Sequence, residues 1–312
     1  MTQVVPSRVL QALERSYLDA SGDASGTVSS VYPVLADAEP ELFGAAVVEI
    51  SGEIAEVGDC GVGFSMMSCA KPFVFALVAQ ARGISLVRER VGVNATGLPF
   101  NSATAVERDP TSRTNPMVNS GALATIALTP GDSVDDQWQN IIQAVSEFAG
   151  RALETDPEAY ASVSAANHQN RALAHLLSAR GALASPPGDA VELYTRASCL
   201  VVSTRDLAAM GATLANSGTN PLTGDRVVDG DIARASVAVM ATSGLYETTG
   251  DWMMKVGLPA KSGISGNIVT VAPGRLGLAS YAPRLDAAGN SVKGAGIAQS
   301  LARDLRLDIF SA

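Results

Sequence analysis

Cysteine is scarce in this 312-residue chain. Cys60, Cys69 and Cys199 are odd in number and widely separated. Such a set builds no disulfide framework and fits a reducing, cytoplasmic compartment. Histidine is scarcer still: His168 and His175 stand seven residues apart, on roughly the same side of a helix. With no cysteine or close acidic residue spaced as a further ligand, they read as helix-surface residues and imply no metal. Their isolation also leaves any serine chemistry to find a base other than histidine. Lys and Arg form no run, and the net charge is −9. That balance removes the basic footprint on which nucleic-acid binding depends. Uninterrupted apolar stretches are short as well. Pro72 to Ala81 is the best of them, about half of the roughly 18 residues that mark a membrane span. The opening MTQVVPSRVLQALERSY lacks the basic start, apolar block and small-residue cleavage site of a secretory leader.

What is present belongs to an ordinary globular protein, with 47% hydrophobic and 17% charged residues. The length corresponds to about two domains at roughly 150 residues each. It is ample for a core that needs no covalent staple.

Strand and helix signals are segregated along the chain. Val9 to Leu18 carries apolar residues at helical spacing and ends in SGDASG. Phe43–Ile50 and Ile54–Val57, split by Ser51-Gly52, read as a β-hairpin. Helical patterns then dominate: Lys71–Arg82, Asp136–Ala149, Asn170–Arg180, Asp206–Asn216 and Asp231–Thr242. In the second, Trp138, Ile141, Ile142, Val145 and Phe148 share a face. Ser203 followed three residues later by Asp206 has the form of a capping box. Ser185-Pro-Pro-Gly-Asp189 reads as a tight loop. Strands return at Asn267–Val271 and Leu276–Tyr281, and a last helix is expected over about Ala298–Asp304. Strands at both ends and helices between them imply an α/β (α+β) architecture. One antiparallel sheet is assembled from both chain ends, with flanking terminal helices and an inserted helical lobe. The corresponding boundaries are an α/β lobe at about 1–60 and 256–312 and a helical lobe at about 61–255, with an active site expected in the cleft between them.

Ser68-Cys-Ala-Lys71 is an S-x-x-K. A serine opening a helix and a lysine one turn later share a face, so the amine can reach the hydroxyl. To take a proton the lysine must be neutral, which apolar surroundings and a helix N-terminus both favour. FSMM before the motif and PFVFALV after it supply those surroundings. The bland alternative is an N-capping serine followed by a lysine that snorkels to solvent. Lys261-Ser262-Gly263, just before a strand, matches the K-[ST]-G that edges the active site of penicillin-recognising serine enzymes beside their S-x-x-K. Alone it is equally a turn leading into a strand, and the usual S-D-N is absent. Asn119, within NPMVNSGA, suits a loop lining a cleft, its alternative being an Asx turn. Tyr194 and Tyr246 offer phenols to a site or, as the alternative, fill the core. The Gly-rich stretches at Gly61 to Gly63 and Gly294 to Gly296 lack the lysine and strand context of a phosphate cradle.

In this order the residues resemble the bacterial-type glutaminases, a serine-dependent family with the β-lactamase/DD-peptidase-like fold. The resemblance runs from about Gly26 to Phe310. It is carried by FSMMSCAKPF, GLPFNS, NPMVNSGA, NRALAHLL, STRDLAAMGATLANSGTNPLTG, GLYETTGDW, VGLPAKSGISGNI and GNSVKG. It implies hydrolysis of L-glutamine to L-glutamate and ammonia, with Ser68 as nucleophile and Lys71 as its base. Asn119, Asn170, Tyr194 and Tyr246 correspond to substrate-holding positions, Tyr246 also lying close to the reacting centre, and Lys261 plays a supporting part. Ile264 stands where the family has a valine whose backbone amide, with that of Ser68, forms the oxyanion hole. That donor survives a Val-to-Ile change. No cofactor or metal is implied. The implied partner is a small-molecule amide, and assembly as a homo-oligomer, dimer or tetramer, is common in the family.

Three positions depart from the family pattern. Its glutamate seven residues before Asn170, which contacts the substrate's α-amino group, is Val163 here. Its tyrosine in a Tyr-Ile-Pro run is Val31, with Tyr32 displaced by one, and its glutamine before the nucleophile is Met67. Each change removes a polar group from the expected pocket wall. A buried ammonium without its carboxylate costs several kcal/mol. The sequence therefore retains the catalytic groups and alters amino-acid recognition. This leaves two alternatives to a plain glutaminase: a serine amidase or esterase for a substrate without a free α-ammonium, or a catalytically degenerate binding protein.

Overall fold

Strands from the two ends of the chain meet in one sheet. The computed structural model describes residues 7–311. Strands β1 (Gly44–Glu49), β2 (Ile54–Gly58), β3 (Ala260–Gly263), β4 (Asn267–Ala272) and β5 (Leu276–Tyr281) pair antiparallel in the order β2-β1-β5-β4-β3. The principal helices are α1 (Arg8–Ser21), α2 (Lys71–Arg82), α3 (Asn119–Ile126), α4 (Val134–Ala149), α5 (Pro157–Ala166) and α6 (His168–Ala179). They continue as α7 (Pro187–Ser198), α8 (Thr204–Ala215), α9 (Gly230–Ser243), α10 (Thr249–Val256) and α11 (Val292–Leu305). Shorter helices lie at Pro33–Ala36, Ile84–Val91 and Ala103–Arg108.

Both faces of the sheet are covered, which is why β1 and β5 read as nearly continuous small and apolar runs. Ala45, Val47, Ile268 and Leu278 pack with α1 and α11, whereas Ala46, Val48, Val269, Val271 and Ala279 pack with α8 and the helices beyond it. The expected sheet from both chain ends, flanked by terminal helices, is the architecture found. We propose the division at about 1–60 with 256–312 against 61–255 as a description of its two lobes. Within that description α8 lies directly on the sheet and packs against α4 and α9 on its other side. Its start is held by the expected capping box, in which the Ser203 hydroxyl accepts from the Asp206 amide and the Asp206 carboxylate accepts from the Ser203 amide. Arg151 locks the same carboxylate with two hydrogen bonds of 2.7 and 2.9 Å.

Two boundaries differ from the sequence expectation. The last helix begins at Val292, not near Ala298, because Ser291 caps it through the Gly294 amide. Gly294 is small there because a Cβ would meet the Ser280 hydroxyl at 2.7 Å, so packing overrides poor helix propensity. The presumed loop Ser185–Asp189 is a helix start, with Pro187 supplying the fixed φ of a first helical turn. Helices α5 and α10 were likewise not anticipated, their apolar patterns being short and weakly periodic.

The closest backbone approach of α8 to the sheet is at Gly277. A Cβ there would lie 2.3 Å from both the Ala208 carbonyl oxygen and the Ala212 nitrogen. Main chain cannot swing aside as a side-chain tip can. Gly277→Ala is therefore expected to destabilise the protein by about 3 kcal/mol or more. Gly61→Ala, where a Cβ meets nothing within 4 Å, is expected to leave stability within about 0.5 kcal/mol. Urea unfolding of the two variants compares them directly.

Candidate active site

Ser68 sits in a 3₁₀ turn, Met67–Ala70, that runs into α2 at Lys71. Met67, just before it, holds φ at +47°. For a non-glycine residue that left-handed conformation stores roughly 1–3 kcal/mol and needs support from its surroundings. The support comes from the turn between β3 and β4. The Ser265 hydroxyl donates to the Ser65 carbonyl at 2.9 Å, and the Asn267 amide donates to the Met66 carbonyl at 3.0 Å. The Cys69 thiol donates to the Lys261 carbonyl at 3.2 Å. Burial pushes that thiol up to about 12, so it stays a protonated donor. Lys261-Ser262-Gly263 is strand β3 itself. Gly263 is required because a Cβ would fall 2.1 Å from the Asn267 side-chain oxygen. Ser265 and Asn267 thus hold the turn that carries Ser68. Sequence reading quoted both within VGLPAKSGISGNI and gave neither a task, since nothing local shows what they reach.

Lys71 is buried, 4% exposed, and does not snorkel. Its Nζ donates to Asn119 Oδ1 at 2.6 Å and lies 5.8 and 5.6 Å from the ring centres of Tyr194 and Tyr246. Burial, with the nearby Lys261 charge second, holds its pKa well below the ordinary lysine value. Lys261 is fully buried, donates to the Ser262 carbonyl at 2.6 Å and sits 3.9 Å from the Tyr246 ring centre. Burial brings it down to about 7. Two lysines are therefore enclosed with no carboxylate partner, a setting that favours neutral amines.

Asn119 is the first residue of α3, not a loop residue as its Asn-Ser-Gly context had implied. Its backbone N–H donates to the Phe100 carbonyl at 2.8 Å. Gly121 lets the helix rest on the Asn115 carbonyl, which a Cβ would approach to 1.9 Å. Asn119 Nδ2 donates to Asn170 Oδ1 at 2.9 Å, and the Tyr194 hydroxyl donates to Asn119 Oδ1 at 3.2 Å. Tyr246 heads a 3₁₀ turn with φ at +58°, and its ring packs on Phe100 at 4.9 Å. Burial raises both phenols above the ordinary tyrosine range, while the adjacent Ser68 hydroxyl opposes the rise. The buried Tyr246 hydroxyl does not complete a hydrogen bond of good geometry.

Ser68, Asn119, Asn170, Tyr194 and Ile264 line one cavity of about 110 Å³. Lys71, Lys261 and Tyr246 stand just behind it. Val31, Tyr32, Met67 and Val163 line the same cavity, so all three departures from the family pattern fall on its wall. Among the described residues no charged side chain lines it. A larger cleft of about 940 Å³, near Arg88, Arg108 and Arg113, contains none of these residues. His168 and His175 lie on the exposed side of α6. Among the described residues no single helix is long and apolar enough to cross a membrane.

An antiparallel sheet between terminal helices and a helical lobe, with an S-x-x-K turn facing a K-S-G strand, is the β-lactamase-like fold. The glutaminase family model matches residues 26–310, and the chain belongs to that family. It is 51% identical over 305 residues to Glutaminase 2 of Yersinia pestis, covering 98% of this chain and 90% of that one. A solved structure of a probable glutaminase, ybaS, superposes with a TM-score of 0.96 at 35% identity, covering 99% of this chain and all of the other. The glutamate form of Mglu gives 0.94 at 34%, covering 99% of this chain and 71% of that one.

Lys261 also marks the pH dependence of stability. The folded protein releases its proton near pH 7, whereas the unfolded chain holds it to about 10.5. Between those values the unfolded state binds more protons, so stability rises with pH. Lys71, also lowered, contributes with the same sign. Lys261→Met is expected to show a smaller rise from pH 7 to 10 than the wild type, read from urea midpoints across that range.

Proposed function

We propose that this protein hydrolyses L-glutamine to L-glutamate and ammonia through an acyl-enzyme on Ser68. Neutral Lys71 takes the Ser68 proton as Oγ attacks the side-chain amide carbon. The backbone amides of Ser68 and Ile264 stabilise the oxyanion. Lys71 returns the proton to the departing nitrogen, ammonia leaves, and water cleaves the ester to give glutamate and free Ser68. Asn119, Asn170, Tyr194 and Tyr246 hold the substrate, and Lys261 keeps the site's amines from charging. The observation that carries this reading is the burial of Lys71, one turn beyond Ser68, in a chain of the glutaminase family. A relative solved in its glutamate form supports the same substrate class. A cytoplasmic location and a homo-oligomeric state, dimer or tetramer, belong to the same proposal.

A second reading is favoured by the uncharged cavity wall. With Val163 and Met67 in place and no carboxylate lining the cavity, the preferred substrate is an ω-amide without a free α-ammonium. Ammonia release from L-glutamine, N-acetyl-L-glutamine and the des-amino analogue separates the two. Ser68→Ala is expected to lower turnover by about 10³-fold or more on any true substrate. Val163→Glu is expected to lower KM for L-glutamine about tenfold while leaving that for the des-amino analogue unimproved. Absence of ammonia from all three substrates would sink both readings.

A further inference from the structure

A single-file chain of hydrogen bonds leads away from Lys71 into the protein. Lys71 Nζ donates to Asn119 Oδ1 at 2.6 Å, and Asn119 Nδ2 donates to Asn170 Oδ1 at 2.9 Å. Asn170 Nδ2 donates to Asn167 Oδ1 at 2.6 Å, and Asn167 Nδ2 donates to Thr195 Oγ1 at 2.9 Å. The Thr195 hydroxyl spends its one proton on the Val191 carbonyl, at 2.7 Å within α7. Asn167 and Thr195 are 1% and 2% exposed, and neither lines the cavity of Ser68. Every amide in the chain points the same way.

The direction matters because an amide can be turned end for end by its partners. A charged Lys71 has only protons to offer and would itself demand the oxygen of Asn119. A neutral Lys71, the form that takes a proton from Ser68, can either donate or accept. If Asn119 turned its NH₂ to that amine, the lone pair needed for Ser68 would be occupied. The Tyr194 hydroxyl, which also donates to Asn119 Oδ1 at 3.2 Å, can rotate to accept instead, so it is the far end of the chain that prevents this. Since Thr195 donates to the backbone, it must accept from Asn167, and each amide in turn is forced to show its oxygen toward Lys71.

We propose that Asn167 and Thr195 are positioning residues for the catalytic amine: they fix the direction of the buried amide chain and so keep the lone pair of neutral Lys71 free for Ser68. This rests on the serine mechanism proposed above. The other titratable groups facing Lys71 are Lys261 on β3, Cys69 on its own turn, Tyr194 on α7 and Tyr246 in the turn before α10. None of them is altered in the variants below.

The test follows the pH dependence of Ser68 acylation by a fluorophosphonate, which needs no assumption about the natural substrate. Thr195→Val keeps the shape and removes the hydroxyl. Asn119 can then donate to the neutral amine, stabilising it, so the acid limb is expected to move to lower pH by about half a unit or more. The occupied lone pair is expected to lower the plateau rate about tenfold. Thr195→Ser, which keeps the donor to Val191, is expected to restore the limb and the plateau. Simple loosening of the site would hydrate Lys71 and move the limb the opposite way. Asn167→Leu breaks the chain one link earlier and is expected to reproduce Thr195→Val; either variant, shown folded by its unfolding transition, decides the matter. A limb unmoved or raised in a folded variant overturns the proposal alone. Failure of wild-type Ser68 to label at all overturns the serine mechanism and this proposal with it.

Discussion

Burial of the Lys71 amine is the constraint from which the site follows. An ammonium at that place would lose its hydration with no carboxylate in return, so the enclosure itself favours the neutral form. Lys261 beside it adds like charge and pushes in the same direction. Asn119 then serves as hydrogen-bond acceptor without supplying a negative charge that would restore the ammonium. The proposed chemistry needs a base at neutral pH, and neither His168 nor His175 lines the cavity. A desolvated lysine is the proposed substitute.

Keeping such an amine aligned with Ser68 requires backbone held where it would not rest by itself. Met67 and Tyr246 both stand at positive φ, one on each side of the reacting centre. The β3–β4 turn grips the first through Ser265 and Asn267, and packing on Phe100 bears on the second. Glycines appear where a Cβ has no room: Gly263 beside the Asn267 side chain, Gly121 on the Asn115 carbonyl, Gly277 under α8. The Gly277 contact joins a strand from the end of the sequence to a helix from its middle. Ser265 and Asn267 likewise tie the end strands to the turn that carries Ser68.

The three positions that depart from the family pattern fall together on a frame that keeps the family's fold. Val31, Met67 and Val163 line the cavity together with Asn119, Asn170 and Tyr194. The polar groups that remain are amides and hydroxyls, which can orient a substrate amide but offer an ammonium only dipoles. Neutral hydrogen-bonding groups discriminate by geometry, and a missing carboxylate is felt mainly in affinity. In the proposed mechanism the altered positions lie on the cavity wall, whereas Lys71 and Lys261 stand behind it.

Much of this was legible in the residues alone. Long apolar periodicity revealed α2, α4, α8 and α9, and the two-sided burial of the sheet explains why β1 and β5 read as strands. Ser68 with Lys71, and Lys261 to Gly263, carry their chemistry in local spacing, so the motif and the family were readable without coordinates. Short or cap-defined elements were not: α5 and α7 open on proline, and α11 carries in its first turns Gly294, packed on the Ser280 hydroxyl, and Gly296, packed on Ala20. Asn119 was read as a loop residue because Asn-Ser-Gly favours turns, until the Asn115 carbonyl under Gly121 showed a helix start. The amino-acid sequence by itself determined the fold and the family, and pointed to Ser68 and Lys71 as the proposed nucleophile and base. Tertiary structure alone decided that Lys71 is enclosed, that the three altered positions share one wall, and that Asn167 and Thr195 stand behind the site. Burial and hydrogen-bond direction depend on partners distant in the chain, such as Asn167 with Thr195, 28 residues apart, and Ser65 with Ser265, 200 apart, and no local pattern records them.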